Sequence, residues 1–115
     1  MKKATVFEDE DSIRTMVGQL LEEHGYAVQT YDSPIRAERS SEPDLIVSDI
    51  RMPEMTGIEY VRQLRSNGCR VRHIALMSGD WHIKDLREAE FLGCKVFHKP
   101  FPMRDLSAWV QSLPA

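Results

Sequence analysis

Short apolar runs that favour β-strands alternate with segments of helical periodicity along the 115-residue chain. The clearest run, Leu45-Ile46-Val47, contains no polar residue, which is typical of a strand whose two faces are both buried. Strands of this kind belong to parallel sheets, because the helices that connect parallel strands cover both faces of the sheet. The alternation therefore predicts an α/β protein in which a parallel sheet lies between two layers of helices.

Five strands and five helices are predicted in alternation. The strands fall in the segments 5–7, 27–31, 45–47, 73–77 and 96–98. Apolar residues spaced by three or four positions follow each strand and predict the helices. The second helix, between Ser33-Pro34 and Pro43, has little apolar support. The third begins at Thr56, a residue type that caps helix N-termini.

Composition excludes several classes of function. The net charge is −3 and the Lys and Arg residues form no cluster, which argues against direct binding of nucleic acid. No apolar run reaches the roughly 18–20 residues of a membrane span, and the N-terminal segment lacks the apolar stretch of a signal peptide. We therefore expect one cytoplasmic domain over residues 1–115 with no membrane association.

Polar side chains follow four of the predicted strands. Glu8-Asp9 ends the first strand, Ser48-Asp49 the third, Ser78-Gly79 the fourth and Lys99-Pro100 the fifth. Because the carboxyl ends of parallel strands share one edge of the sheet, these groups are expected to converge there. Clustered carboxylates repel one another unless a counter-charge is present, and a hard divalent cation such as Mg²⁺ provides one. A lysine beside such a site suits a phosphoryl group, so the pattern suggests phosphoryl transfer.

The whole set of motifs resembles the receiver domains of two-component response regulators, the CheY-like family. The resemblance rests on Glu8-Asp9, the segments 43–49 and 52–57, Ser78-Gly79 and Lys99-Pro100-Phe101, and it covers essentially the whole chain. It implies a doubly wound, flavodoxin-like three-layer sandwich. In that fold five parallel strands lie in the order 2-1-3-4-5 and are accompanied by five helices.

The resemblance also implies how the site handles a phosphoryl group. Asp49 matches the aspartate that accepts the phosphoryl group in this family. Ser78 matches the hydroxyl that moves to a phosphoryl oxygen, and Lys99 matches the ammonium that bridges to it. The Lys99–Pro100 peptide is expected to be cis, as in the family.

Mg²⁺ is the cofactor that the resemblance implies. Asp9 and Asp49 match its carboxylate ligands, and the backbone carbonyl of Arg51 is expected to be a further ligand. Glu8 stands where the family most often has an aspartate, and its longer side chain is expected to act on the metal through a water.

The implied function is a signalling switch. A sensor histidine kinase or phosphotransfer protein donates a phosphoryl group to Asp49, and the resulting conformational change controls a downstream target protein or a fused output domain. The chain is expected to catalyse only its own phosphorylation and dephosphorylation, and otherwise not to be an enzyme. A monomer or weak homodimer is expected.

Two other functions remain open. A phosphorylation-independent pseudo-receiver, acting as a protein-interaction module, is favoured by Val96, since the family commonly has Tyr or Phe there; retention of the acidic residues, Ser78 and Lys99 argues against it. A phosphohydrolase of the haloacid-dehalogenase type needs a second acid two residues after its nucleophile, and Arg51 occupies that place.

Four side chains near the site carry expectations of their own. Phe97 is expected to fill part of the role of the aromatic residue that is missing at position 96. Trp81, in the loop after the fourth strand, is expected either to pack on a neighbouring helix or to contact a partner. Arg51 and Asp80 carry opposite charges, and we hypothesise an ion pair between them across the mouth of the site.

Overall fold

A five-stranded sheet forms the centre of the computed structural model, which describes residues 2–37 and 42–114. The strands are β1 (Lys3–Phe7), β2 (Ala27–Tyr31), β3 (Leu45–Asp49), β4 (His73–Ser78) and β5 (Lys95–His98). They lie in the order β2-β1-β3-β4-β5, and every neighbouring pair is parallel. The predicted α/β class and strand order are therefore confirmed.

The described part of the chain contains four α-helices: α1 (Asp11–Glu23), α2 (Gly57–Ser66), α3 (Ile83–Phe91) and α4 (Met103–Ser112). The first three connect successive strands, and α4 follows β5. Among the described residues, no helix is both long enough and apolar enough to cross a lipid bilayer.

The prediction of a fifth helix, between β2 and β3, is wrong for the residues described there. Ser33 starts only a 3-10 turn, Pro34–Arg36, by accepting a hydrogen bond from the Ile35 amide at 3.3 Å. Ala37 returns to an extended conformation, with φ −72° and ψ 135°. Few apolar residues are available to hold a helix on the sheet, and helical packing depends on such residues. Residues 38–41 of the predicted helix lie outside the described residues.

Helix α2 begins where the sequence predicts. The Thr56 hydroxyl accepts a hydrogen bond from the Glu59 amide at 3.1 Å, and the Glu59 carboxylate accepts one from the Thr56 amide at 3.0 Å. This reciprocal pair satisfies two backbone donors that the first helical turn leaves free, and it sets the start of α2 just beyond the end of β3.

Two apolar layers enclose the sheet. One, which we call the α1–α4 layer, holds side chains that include Val17, Leu21, Met77, Phe97, Leu106 and Val110. The other, the α2–α3 layer, holds side chains that include Phe7, Ile46, Ile58, Val61, Leu76 and Ala89. All five residues of β3 are buried, because this strand lies in the middle of the sheet under both layers.

Neighbouring residues of β5 face opposite layers, as they do in any strand. Phe97 packs in the α1–α4 layer, with its ring centroid 5.9 Å from that of Trp109. Val96 packs in the α2–α3 layer together with Trp81. The alternation of side chains along the strand directs Phe97 to the face opposite Val96. That Phe97 takes over part of the role of the missing aromatic residue stays a prediction.

Candidate functional site

The register of the sheet brings the predicted polar residues to one edge. Phe7 pairs with Ser48, so the next residues, Glu8 and Asp49, stand at the same level. Ser78 ends β4 opposite His98 of β5, and Lys99 follows directly. The strand order places β3 between β1 and β4, so groups at the ends of these two neighbouring strands flank Asp49.

Three carboxylates meet at this edge. Glu8, Asp9 and Asp49 each offer one oxygen, and these oxygens lie within 4.8 Å of one another. The Glu8 and Asp49 side chains are buried, whereas Asp9 is exposed. The structure thus brings together the three acidic side chains that the sequence marks as metal ligands.

Lys99 provides a positive charge beside two of these carboxylates. Its Nζ lies 2.9 Å from Glu8 Oε1 and 3.5 Å from Asp49 Oδ2. Burial alone lowers the pKa of Lys99, but the hydrogen bond to Glu8 and the charge of Asp49 outweigh that effect and raise the pKa above its ordinary value. Lys99 therefore carries its charge at neutral pH. The Lys99–Pro100 peptide is cis, as the resemblance implies.

Glu8 is only 1 % exposed, and this burial is the main influence on its pKa. Burial raises the pKa of Glu8 from 4.5 to about 7; the hydrogen bond from Lys99 lowers it, and the charge of Asp49 raises it further. Glu8 Oε2 is also buried and has no hydrogen-bond partner among the described residues. A buried oxygen left in this state is costly, and a cation at the acidic cluster removes that cost. The three carboxylates, including this Glu8 oxygen, fit a hard divalent cation such as Mg²⁺.

The Ser78 hydroxyl is engaged with its own loop. Ser78 Oγ accepts a hydrogen bond from the Asp80 amide at 3.1 Å and donates to the Asp80 carbonyl at 3.3 Å. The Ser78 side chain is buried at the end of β4, one strand away from Asp49. It stands next to the site with its proton directed to the loop that leads into α3.

The side chain of Arg51 crosses from the end of β3 to the loop after β4. One guanidinium nitrogen donates to the Asp80 carbonyl at 3.2 Å and lies 3.0 Å from Asp85 Oδ2. The hypothesis of an Arg51–Asp80 ion pair is therefore wrong: the Asp80 carboxylate lies 3.5 Å from His82 Nε2 instead.

Asp85 is the residue near this site that the sequence reasoning missed. Its side chain is 20 % exposed, against 74 % for Asp80, so less side-chain entropy remains to be lost when it pairs with Arg51. Asp85 lies in the first turn of α3, where a negative charge is favoured. An acidic residue in the first turn of the helix after β4 was the available signal.

Gly57 makes the close approach of α2 to the end of β3 possible. A Cβ atom at this position would lie 2.3 Å from the Asp49 carbonyl oxygen, well inside van der Waals contact. The Gly57 amide donates to the Ile50 carbonyl at 3.0 Å. Helix α2 therefore begins directly against the backbone of Asp49.

Sequence comparison identifies relatives of the chain. The sequence pattern of the response regulator receiver domain matches residues 4–111. The alkaline phosphatase synthesis transcriptional regulatory protein PhoP of Bacillus subtilis is 31% identical over 115 residues, which cover 97% of this chain and 48% of PhoP. The transcriptional regulatory protein FixJ of Azorhizobium caulinodans is 32% identical, over 84% of this chain and 47% of FixJ. The chain spans about half the length of these relatives.

Solved structures show the same architecture. The chemotaxis protein CheY4 of Vibrio cholerae superposes with a TM-score of 0.85 at 28% identity, over 99% of both chains. The non-phosphorylated receiver domain of HemR from Leptospira biflexa gives a TM-score of 0.87 over 100% of this chain and 98% of its own, and at 17% identity it supports the fold alone. With the fold, the acidic edge of the sheet and the sequence match in agreement, the chain belongs to the response regulator receiver domain family.

Proposed function

We propose that residues 1–115 form a phospho-accepting receiver domain in which Asp49 takes a phosphoryl group from a sensor histidine kinase or a phosphotransfer protein. The observation that carries the proposal is the setting of the Asp49 carboxylate. It lies beside the acidic pair Glu8-Asp9 and within reach of the ammonium of Lys99, whose Nζ is 3.5 Å from Asp49 Oδ2 and also contacts Glu8. A buried carboxylate that adjoins both a cation and a metal-binding set is suited to accept a phosphoryl group.

The proposed step balances as a displacement at phosphorus. An Asp49 carboxylate oxygen forms a bond to the phosphorus of a phosphohistidine, and the bond from phosphorus to the imidazole nitrogen breaks. The leaving nitrogen takes up a proton, and Asp49 becomes an acyl phosphate. Lys99 already lies beside the acceptor and can bind a phosphoryl oxygen as a point charge. Ser78 can reach another only by releasing the Asp80 carbonyl.

Mg²⁺ is the proposed cofactor. Glu8, Asp9, Asp49 and the backbone carbonyl of Arg51 are the groups that would hold it, and the buried, unpartnered Glu8 Oε2 supports this assignment. Bound Mg²⁺ would neutralise the negative charge that accumulates between the acceptor carboxylate and the phosphoryl oxygens. Glu8 Oε1 is occupied by Lys99, so Oε2 is the Glu8 oxygen that remains for the cation or its water.

The proposed role is that of a switch. The chain would catalyse only its own phosphorylation and dephosphorylation, and the phosphorylated form would control a downstream target protein or a fused output domain. Transcriptional regulators about twice as long as this chain, such as PhoP and FixJ, support the second arrangement. We place the domain in the cytoplasm, where kinases use ATP, as a monomer or weak homodimer with no direct contact to nucleic acid.

The test is phosphoryl uptake by the purified chain. Wild-type protein with Mg²⁺ and radiolabelled acetyl phosphate is expected to incorporate label, and it should bind beryllofluoride, an analogue of the phosphoryl group. Asp49→Asn should abolish both. Asp105→Asn removes an exposed aspartate from the first turn of α4 and serves as the control that retains both. Uptake that persists in Asp49→Asn contradicts the acceptor assignment. A folded wild type that takes up neither reagent supports the pseudo-receiver instead.

A further inference from the structure

Two side chains beside the acceptor site meet on a single backbone oxygen. The Asp80 carbonyl accepts a hydrogen bond from Ser78 Oγ at 3.3 Å and another from the Arg51 guanidinium at 3.2 Å. Ser78 ends β4, and Arg51 follows Asp49 by two positions at the end of β3. The Asp80 carbonyl therefore links the loops that follow the two neighbouring strands.

Asp85 fixes the guanidinium in this position. Asp85 Oδ2 lies 3.0 Å from the same Arg51 nitrogen that contacts the Asp80 carbonyl. The Arg51 side chain is 45% exposed and the Asp85 side chain 20%. The carboxylate belongs to the first turn of α3, so its position is set by the helix and not by the loop that Arg51 reaches.

A hydroxyl group has one proton to donate. Ser78 therefore cannot donate to the Asp80 carbonyl and to a phosphoryl oxygen on Asp49 at the same time. The two conformations exclude each other. In one, the Ser78 hydroxyl donates its hydrogen bond to the Asp80 carbonyl; in the other, it donates to a phosphoryl oxygen. Any contact that retains the Asp80 carbonyl in place favours the first conformation over the second.

We propose that Asp85 is a positioning residue for the acceptor site: by holding Arg51 on the Asp80 carbonyl, it stabilises the resting loop and opposes capture of a phosphoryl group at Asp49. The inference rests on the proposed function, since it concerns the regulation of the same site. Once a phosphoryl group is present, its oxygens compete with Asp85 for the guanidinium, because a phosphoryl group is a strong acceptor for arginine. Without its negative charge, residue 85 no longer competes with the phosphoryl oxygens for the Arg51 guanidinium.

The experiment measures the affinity for beryllofluoride in Mg²⁺ by ¹⁹F NMR of the bound ligand. Asp85→Asn keeps the shape of the side chain and removes its charge. It is expected to tighten beryllofluoride binding about two- to fivefold, the range that a partly exposed ion pair supplies. The matched control is Glu88→Gln, on the same helix, which breaks the Arg62–Glu88 pair of similar exposure and should leave the affinity unchanged.

Removal of a negative charge near an anion site could tighten binding without any action through Arg51. A double-mutant cycle with Arg51→Gln separates the two explanations, since that variant keeps the backbone carbonyl of residue 51. The proposal requires that Asp85→Asn improve affinity when Arg51 is present and have little effect in the Arg51→Gln background. An equal gain in both backgrounds overturns it.

A second readout reports the resting loop directly. The Asp80 amide donates to Ser78 Oγ, so its ¹H–¹⁵N resonance is sensitive to the state of the loop. In protein without beryllofluoride, Asp85→Asn should move this resonance towards its ligand-bound position, and Glu88→Gln should not. Binding by the wild type with no change in either readout for Asp85→Asn overturns the role of Asp85 alone. Failure of the folded wild type to bind beryllofluoride overturns the proposed function as well.

Discussion

The Trp81 indole nitrogen donates a hydrogen bond to the backbone carbonyl of Phe97, 3.1 Å away. This contact joins the loop after β4 to the edge strand β5. Trp81 directly follows Asp80, whose amide and carbonyl are both bonded to the Ser78 hydroxyl. The Ser78 contacts are therefore only a few covalent bonds away from a large ring in the α2–α3 layer.

The first prediction follows from this connection. When Ser78 turns to a phosphoryl analogue on Asp49, the loop through Asp80 moves and the environment of the Trp81 ring changes. The intrinsic fluorescence of a Trp109→Phe variant, in which Trp81 is the remaining tryptophan, should change on addition of beryllofluoride and Mg²⁺. Ser78→Ala, which retains Asp49 and Lys99, should reduce that change. An unchanged signal at saturation, with binding confirmed by ¹⁹F NMR, contradicts a role for this loop in the switch.

The second prediction concerns the pH dependence of folding. The pKa of Glu8 is raised to about 7, so the folded chain binds the Glu8 proton more tightly than the unfolded chain does. The stability that this protonation contributes is complete below the ordinary pKa of 4.5 and is lost as the pH rises through about 7. Glu8→Gln resembles the protonated form, so near pH 8 it should exceed the wild type in free energy of unfolding by about 1–3 kcal/mol.

Urea unfolding at several pH values, without Mg²⁺, measures this difference. The advantage of Glu8→Gln should shrink as the pH falls and vanish near the ordinary pKa of a glutamate. Glu10→Gln, which changes an exposed neighbouring carboxylate, should show no such trend. If the advantage of Glu8→Gln were constant across the pH range, the raised pKa would not be its cause.

The third prediction concerns the cation. Asp9 is the exposed member of the acidic cluster and is proposed as a direct ligand of Mg²⁺. Asp9→Asn should weaken Mg²⁺ binding by at least about tenfold and block phosphorylation, because a carboxylate ligand is lost. Since the change also relieves repulsion among the three carboxylates, the protein without metal should be at least as stable as the wild type.

Isothermal titration with Mg²⁺ and circular dichroism check both parts of this prediction. Asp11→Asn removes an exposed carboxylate close by in α1 and is the control for a general loss of negative charge. Phosphorylation of Asp9→Asn at the wild-type rate would show that the metal assignment is wrong.

The fourth prediction concerns Gly57. A methyl group at this position would approach the Asp49 carbonyl oxygen far inside van der Waals contact, so α2 must shift. Gly57→Ala should lower the free energy of unfolding by about 1–3 kcal/mol, as overpacking commonly does, and should weaken beryllofluoride binding. Ser66→Ala, at the other end of the same helix, should leave binding unchanged. A Gly57→Ala variant with wild-type stability and binding would show that the approach of α2 is not restrictive.

The sequence predicted the sheet and the meeting of its polar residues because both follow from periodicity. A continuous apolar run such as Leu45-Ile46-Val47 belongs to a doubly covered strand, and parallel strands necessarily place their carboxyl ends together. Thr56 carries its capping function in its own side chain. The strand order and the cis Lys99–Pro100 peptide were predicted from the family resemblance, not from the residues alone.

The predictions that failed have different physical causes. Among the described residues 33–37 the second helix is replaced by a single 3-10 turn, because few apolar residues there can hold a helix on the sheet, and the sequence already shows this weakness. The sequence favours Asp80 as the partner of Arg51, whereas the first turn of α3 places the Asp85 carboxylate 3.0 Å from the Arg51 guanidinium.

The contact at Gly57 has a consequence for the direction in which a signal leaves the site. Since α2 rests directly on the Asp49 backbone, β3 and α2 are packed together as one unit, and the acidic cluster is built on that unit and on the adjacent β1. Ser78 and Trp81 lie on the other side, along β4 and the loop after it. A phosphoryl group on Asp49, as proposed, would therefore act through Ser78 and the loop after β4, towards the β5 edge of the sheet. The Arg51 side chain connects the end of β3 to the loop after β4 and to the first turn of α3.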